Sequence, residues 1–357
     1  MIMSDEALYL WAQWGILNFE QYQAVLNFFG DLEQAWEKIT PQFLEQIGIG
    51  HEKAERLFEI RQGISFHEIV TKLEELNIQI LCIDDAEYPP DLKTIHNPPP
   101  FLFVRGKLPS FHKAIGVVGT RDITNYGQFA CEKLTTDLVR NGFTIVSGLA
   151  LGIDACAHET CLRKRGTTVA VLGSGVDFLY PPQNRPLGER ILVSGGAVVS
   201  EYPLGTPGFA HHFPARNRII SGLSRGLLVI EGGIKSGALI TARLALEQGR
   251  EVFAVPNNIH KISLSGTNHL IRRGEAKLVE SVKDILEEFN MIASSEQVVM
   301  NLNLDETAIL NLIAKDGKTA EELLLETGLH VPKLSEQLMC LSLKGAIREE
   351  GAKWVLS

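Results

Sequence analysis

Residues 114–127, AIGVVGTRDITNYG, and residues 142–158, GFTIVSGLALGIDACAH, follow one plan. A short β-branched run ends in a glycine-bearing loop, and a segment of helical period starts directly after it. Continuous apolar runs, as opposed to alternating ones, belong to strands buried on both faces, and the helical segments between them supply the covering layers. The same beat continues through TTVAVLG (167–173), GAVVSEY (196–202), GLLVIEG (226–232), EVFAVPN (251–257) and AKLVES (276–281), with helices expected to begin near Tyr126, Ile153, Asn184, Ala215, Ala238 and Gly266. Right-handed crossovers turn this alternation into an α/β fold: an extended Rossmann-like, doubly wound, mostly parallel sheet over residues 71–290, with ligands expected at the carboxyl ends of its strands.

The flanks read differently. Residues 1–70 form short amphipathic helices broken at Gly30, Pro41, Gly48 and Gly50, and FLEQIGIGHEKAERLFEI (43–60) has the helix, Gly-x-Gly turn, helix form of a helix-hairpin-helix (SAM-like) domain. A proline-rich passage, DAEYPPDLKTIHNPPPFLFVRG (85–106), fixes extended backbone and removes donors, which marks it as a boundary. Residues 291–304 read as a linker. Residues 305–357 suggest three helices and a hairpin, a winged helix; its third helix offers little beyond Lys333 and Lys344 for DNA, so protein contact is the stronger expectation there.

Charge is distributed unevenly. The chain of 357 residues is acidic overall, at −9, yet residues 111–280 carry 19 Lys and Arg against 13 Asp and Glu, net +6, between two acidic ends. An electrostatic footprint is local, so this basic middle is where an anionic partner belongs. No apolar run is long enough to span a bilayer and the start lacks the pattern of a signal peptide, so a cytoplasmic location and no membrane partner are expected. Five scattered cysteines without CxxC spacing argue against a disulfide framework or a zinc site; Cys156 and Cys161 are expected as thiols on a packed helix.

The strand-end loops carry the chemistry. Gly119-Thr120-Arg121 combines a small residue, a hydroxyl and a forked cation suited to phosphate. Ser147-Gly148, followed by a helix opening at Gly152, brings amides and a positive dipole end together. Phe213, Arg216, Asn217 and Arg218 fall in the loop and first turn after VVSEY, and Lys235, Ser236 and Gly237 follow GLLVIEG. Cations, amides and one aromatic on a single rim suit a sugar-phosphate chain, with Phe213 stacking on an unpaired base. The competing reading is structural: Arg216 and Arg218 would pair with Glu231 and Asp154, Asp154 would cap its helix, and His158 would lie on a helix surface. Neither G-x-G-x-x-G nor a Walker lysine loop is present, since Ile234 precedes Lys235. No Ser/His/Asp, Cys/His or metal-ligand set assembles either, so no catalytic residue, metal or cofactor is expected.

These motifs, together with VAVLGSGVDFLYPPQNRPL (169–187), SEYPLGTPGFAHHFPARNRIISGLSRGLLVIEGGIKSGALITARLALEQGREVFAVPN (200–257) and SGTNHLIRRGEA (265–276), resemble the DNA-processing protein A (DprA/Smf) family in order and spacing. The resemblance implies a Rossmann-like domain that binds single-stranded DNA, protects incoming DNA, delivers a RecA-type recombinase onto it in natural transformation, and forms a homodimer. By motif position it puts DNA contacts on Arg121, Phe213, Arg216, Asn217 and Arg218. Two positions depart from the family pattern: Asn257 stands after Pro256 where a glycine is usual, and Glu275 comes before Ala276. The alternative class is a nucleotide-processing enzyme of the lysine-decarboxylase-like or phosphoribohydrolase group. Its Pro-Gly-Gly-x-Gly-Thr loop is missing, because here Glu231 stands before the glycines.

Overall fold

The computed structural model describes residues 5–291, 304–313, 317–343, 346–351 and 353–356. They fall into two compact units, 1–293 and 294–357.

The first unit is built on a nine-stranded sheet: β1 (Ile78–Cys82), β2 (Phe101–Gly106), β3 (Ala114–Val118), β4 (Thr144–Ser147), β5 (Thr168–Val171), β6 (Ala197–Ser200), β7 (Gly226–Val229), β8 (Glu251–Ala254) and β9 (Lys277–Leu278). Their order is β1-β2-β6-β5-β4-β3-β7-β8-β9. From β6 to β9 all neighbours are parallel, with Ile115 of β3 level with Ile145 of β4 and Gly226 of β7. Strands β3 to β7 are buried along their whole length, which is why their sequences carry no polar alternation. Each fully covered Val, Ile or Leu contributes about 1.5–3 kcal/mol relative to exposure. The chain moves from β3 outward to β6, then returns to the other side of β3 as β7. The crevice over the β3/β7 reversal is therefore where a ligand site belongs in this fold.

All six helices fall where expected, at Asn125–Arg140, Ile153–Arg163, Arg185–Val193, His212–Gly222, Gly237–Glu247 and Gly266–Arg272. Local chemistry starts them. Thr124 caps the first by accepting the Gly127 amide at 3.1 Å, and Pro186 stands in the first turn of the third.

Two readings change. The proline-rich passage is not only a boundary: FLFVRG is β2, which pairs antiparallel with both β1 and β6 and extends the sheet beyond its parallel part. Residues 1–70 do form six short helices (Asp5–Trp14, Phe19–Phe29, Leu32–Lys38, Pro41–Gln46, His51–Gln62, Phe66–Leu76), with the hairpin turning at Gly48, φ +89°. They are not a separate body, however, because one apolar core runs from Trp11, Val25 and Leu44 through Phe103 into Val171 and Val198.

In the second unit, helices Leu304–Ile313, Ala320–Thr327 and Val331–Leu343 pack with β10 (Lys318–Thr319), β11 (Ile347–Glu350) and β12 (Lys353–Leu356) around Ile309, Leu323, Leu338 and Ile347, the expected winged-helix plan. Lys333 pairs with Glu336 at 3.0 Å, while Lys344 and most of the expected linker lie outside the described residues.

Candidate nucleic-acid interface

A cleft of about 360 Å³ opens over the carboxyl ends of β3, β4 and β7. Thr120, Arg121, Asp154, Phe213, Arg216, Asn217, Ser236 and Thr241 line it. A recess of about 140 Å³ adjoins it, walled by Leu151, Tyr180, Gln183 and again Arg121, Phe213 and Arg216. A larger groove, about 530 Å³, runs along β1, but Glu87 and Asp91 against Lys107 give it the wrong charge for a polyanion.

The loop after β3 is held by β7. The Thr120 amide donates to the Glu231 carbonyl at 2.7 Å, and the Thr124 amide and hydroxyl donate to the Glu231 carboxylate at 3.1 and 2.8 Å. Asn257 Nδ2 reaches the same carboxylate at 3.4 Å, so the residue that departs from the family pattern takes part in this brace. Gly119 is required here, because a Cβ would run into Ile153 and the Glu231 carbonyl. Arg121 is left exposed at the end of the loop. Its guanidinium sits 5.7 Å from the centroid of the Phe213 ring, and no ion pair ties it down among the described residues.

Phe213, Arg216 and Asn217 sit at i, i+3 and i+4 on the helix His212–Gly222, one face, and that face lines the cleft. Arg216 is 4% exposed. Its Nη1 donates to the carbonyls of Gly148 (2.8 Å) and Val171, and its Nε donates to Asn217 Oδ1 at 3.1 Å. Burial depresses its pKa to about 10, opposed by the nearby Asp154 carboxylate, so it stays charged at neutral pH.

The Ser147-Gly148 loop departs from expectation. Ser147 is fully buried and donates to the Val117 carbonyl at 2.6 Å, joining strand to strand instead of facing the cleft. The Gly148 amide donates to Asp154 Oδ2 at 3.0 Å, so the loop expected to cradle an outside anion already holds a carboxylate of its own. Burial raises the Asp154 pKa, against Arg216 and the Gly148 amide. The turn is strained at Leu149, φ +56°, and Asn184 Nδ2 holds it by donating to the carbonyls of Leu149 and Ala150 at 2.8 and 3.1 Å. Gly152, φ +78°, is needed where the turn presses on the Thr120 and Arg121 backbone.

Arg218 is not at the rim. It stands five positions, about 140° of helical turn, from Phe213. There it makes a bidentate pair with Glu201 (2.6 Å for both bonds) and donates to the carbonyls of Asn97 (3.0 Å) and Ala215 (3.2 Å). Burial lowers its pKa, but Glu201 more than offsets this and the net shift is upward. The bracing expected from Glu231 or Asp154 is thus supplied by Glu201, which follows directly after β6 and was overlooked as a partner. The Arg-Asn-Arg string suggests three neighbours when read as a loop, but helical geometry sends its second arginine to the opposite side.

Ser236 and Gly237 line the cleft at the start of the helix Gly237–Glu247, where the Ser236 Oγ is buried without a hydrogen-bond partner among the described residues, while Lys235 is exposed outside the lining. His158 is fully buried instead of on a helix surface. Thr168 spends its hydroxyl proton on the Ile145 carbonyl, so His158 Nδ1–H donates to Thr168 Oγ1 at 2.7 Å; burial, with Arg216 adding to it, pushes the imidazole down to about 3. Cys156 and Cys161 are free thiols on the helix Ile153–Arg163. Sequence reasoning missed Tyr180, whose ring packs 5.4 Å from Phe213. The rule that strand-end loops carry function, applied to FLYPPQN after β5, would have found it.

The family model for DNA recombination-mediator protein A matches residues 79–290, which contain the whole cleft. The chain belongs to the DNA recombination-mediator protein A family. The model for the winged helix domain of DprA matches residues 293–353. A Smf protein from Synechocystis is 41% identical to this family member over 304 residues, 83% of this chain and 76% of the relative. The X-ray structure of DNA processing protein A from Streptococcus pneumoniae superimposes with a TM-score of 0.68 at 36% identity, covering 81% of this chain and 99% of that one. DNA processing protein A from Helicobacter pylori, whose structure concerns its single-stranded DNA binding mode, gives a TM-score of 0.53 at 28% identity, covering 59% and 96%. The family is one of DNA-processing proteins. Among the described residues no helix is long and apolar enough to cross a membrane.

Proposed function

We propose that the cleft holds single-stranded DNA without regard to sequence. The observation that carries this is the exposed Arg121 guanidinium beside the Phe213 ring, above the buried charge of Arg216. A free cation beside an aromatic face binds one phosphate and one unpaired base, and stacking contributes about 1–3 kcal/mol whatever the base. Asn217 and the helix start at Ser236-Gly237 add polar groups to the same wall, and Lys235 adds a cation at its edge. The relationship to the Helicobacter pylori protein supports the same ligand.

The role is binding, not catalysis. Asp154, the carboxylate in the cleft lining, is committed to Gly148, and Glu231, which holds the loop after β3, to Thr124 and Asn257, so both serve as structural acceptors. The protein protects incoming DNA and delivers a RecA-type recombinase onto it in natural transformation and recombination, acting in the cytoplasm as a homodimer through the Rossmann-like domain. Family membership supports these further steps. A fluorescence titration of a labelled single-stranded oligonucleotide against the matching duplex tests the core of this reading. Preference for the single strand is expected, and equal or weaker binding of it would refute the site.

A further inference from the structure

The loop between β6 and the helix His212–Gly222 is pinned to other elements at residues 203–206, and a few residues further on it holds an aromatic ring out into solvent. Leu204 exchanges two hydrogen bonds with the Gln13 amide, donating to Oε1 and accepting from Nε2, each at 3.1 Å. The Gly205 amide donates to both Asp177 oxygens at 2.9 Å, and the Thr206 carbonyl accepts from the Gly175 amide at 2.9 Å. Where Gly15 meets Pro203 there is no room for a Cβ. From this base Phe209 projects 49% exposed, with His211 nearly parallel behind it at 5.9 Å and 13°. His212 meets the Phe209 ring edge at 5.2 Å, stacks on Tyr202 at 3.8 Å, and is fixed by donating Nδ1–H to the Gly173 carbonyl at 3.0 Å. The neighbouring Gly208 lies against the rings of Tyr180 and Phe213, so this lip is continuous with the cleft.

A solitary exposed ring is ordinary on a protein surface. This one is oriented by a fixed aromatic stack, on a backbone bonded from both sides, next to a site that takes unpaired bases. Proteins that bind single strands use successive aromatic faces for successive bases, and an immobile face avoids the ordering cost of binding. We infer that Phe209 is a second base platform, extending the single-stranded site by a nucleotide past Phe213, and that Gln13 of the N-terminal helices is the residue that positions it. The inference rests on the single-strand reading proposed above.

The test is an anisotropy titration of the full chain with a 15-nucleotide oligo-dT and with an abasic oligonucleotide of equal length. F209A is expected to weaken oligo-dT binding about 5- to 150-fold, with an unchanged salt slope, no change on the abasic strand, and recovery in F209W. Q13A should weaken oligo-dT binding, and should add nothing on the F209A background. Wild-type affinity in F209A alongside a loss in F213A would overturn the platform while sparing the cleft. Equal losses on both strands would make Phe209 structural, and additive losses in the double variant would remove Gln13 from the role. A wild-type protein that binds neither strand would sink the cleft reading, and this inference with it.

Discussion

Arg121 and Arg216 share one cleft and should respond to removal in opposite ways. Arg121 is exposed, its guanidinium beside the Phe213 ring and in no ion pair among the described residues, so Arg121→Ala should shift stability by no more than about 0.5 kcal/mol. A charge-assisted hydrogen bond to a phosphate is worth about 1.5–3 kcal/mol, so single-strand affinity should fall roughly 10- to 150-fold. One lost phosphate contact also lowers the salt slope by about 0.7, so the wild-type advantage should shrink about 2.6-fold between 50 and 200 mM salt. Arg216 is buried and holds two carbonyls and Asn217, with Asp154 close by. Arg216→Ala leaves that carboxylate buried without its countercharge, a loss of about 3–5 kcal/mol. The assays are a salt-series titration and a denaturant melt of both variants. A wild-type salt slope in Arg121→Ala, or wild-type stability in Arg216→Ala, would refute the division of labour between a free cation and a buried one.

Glu201→Gln leaves the largely buried Arg218 without its anion and should cost about 3 kcal/mol in a denaturant melt, with the salt slope for DNA unchanged. The His158 imidazole is neutral in the fold, at about 3, while an unfolded histidine titrates near 6.5. The unfolded chain therefore binds the extra proton between those values, and stability, complete above about 6.5, falls as pH drops below it. From pH 7 to pH 5 the loss is about 2 kcal/mol. The raised pKa of Asp154 acts in the opposite sense, so the measurement is the difference between wild type and His158→Gln, which should lack this slope. Deleting residues 1–76 strips one side of the shared core, and the remainder should bind a hydrophobic dye or aggregate. A soluble, cooperatively melting fragment would count against the single core.

The parallel part of the sheet and the start of each of its helices could be read from the sequence because buried parallel strands are continuous apolar runs and because glycine punctuates their ends. β2 was obscured: FLFVRG has the same apolar character, but it sits among prolines that mark a connection, and only pairing with β1 and β6 makes it part of the sheet. At the site, Thr120, Arg121, Phe213, Arg216 and Asn217 come together as the spacing suggested. Ser147 and Arg218 do not, since the direction of a side chain on a strand or helix depends on phase, and one register step or half a turn exchanges cleft for core. His158 was misplaced for a similar reason. A histidine in a sequence looks solvent-seeking until Thr168 supplies the one partner that lets it be buried.

The carboxylate that Asp154 places against the Gly148 amide has a consequence for selectivity. A pocket that supplies its own anion repels a dianionic terminal phosphate, which would need to displace or protonate Asp154 before reaching those amides. An internal phosphodiester carries a single charge and can be met by Arg121 at the mouth without reaching those amides. Nucleoside monophosphates and inorganic phosphate should accordingly be poor competitors for bound DNA, and the cleft should favour the interior of a strand over its phosphorylated end.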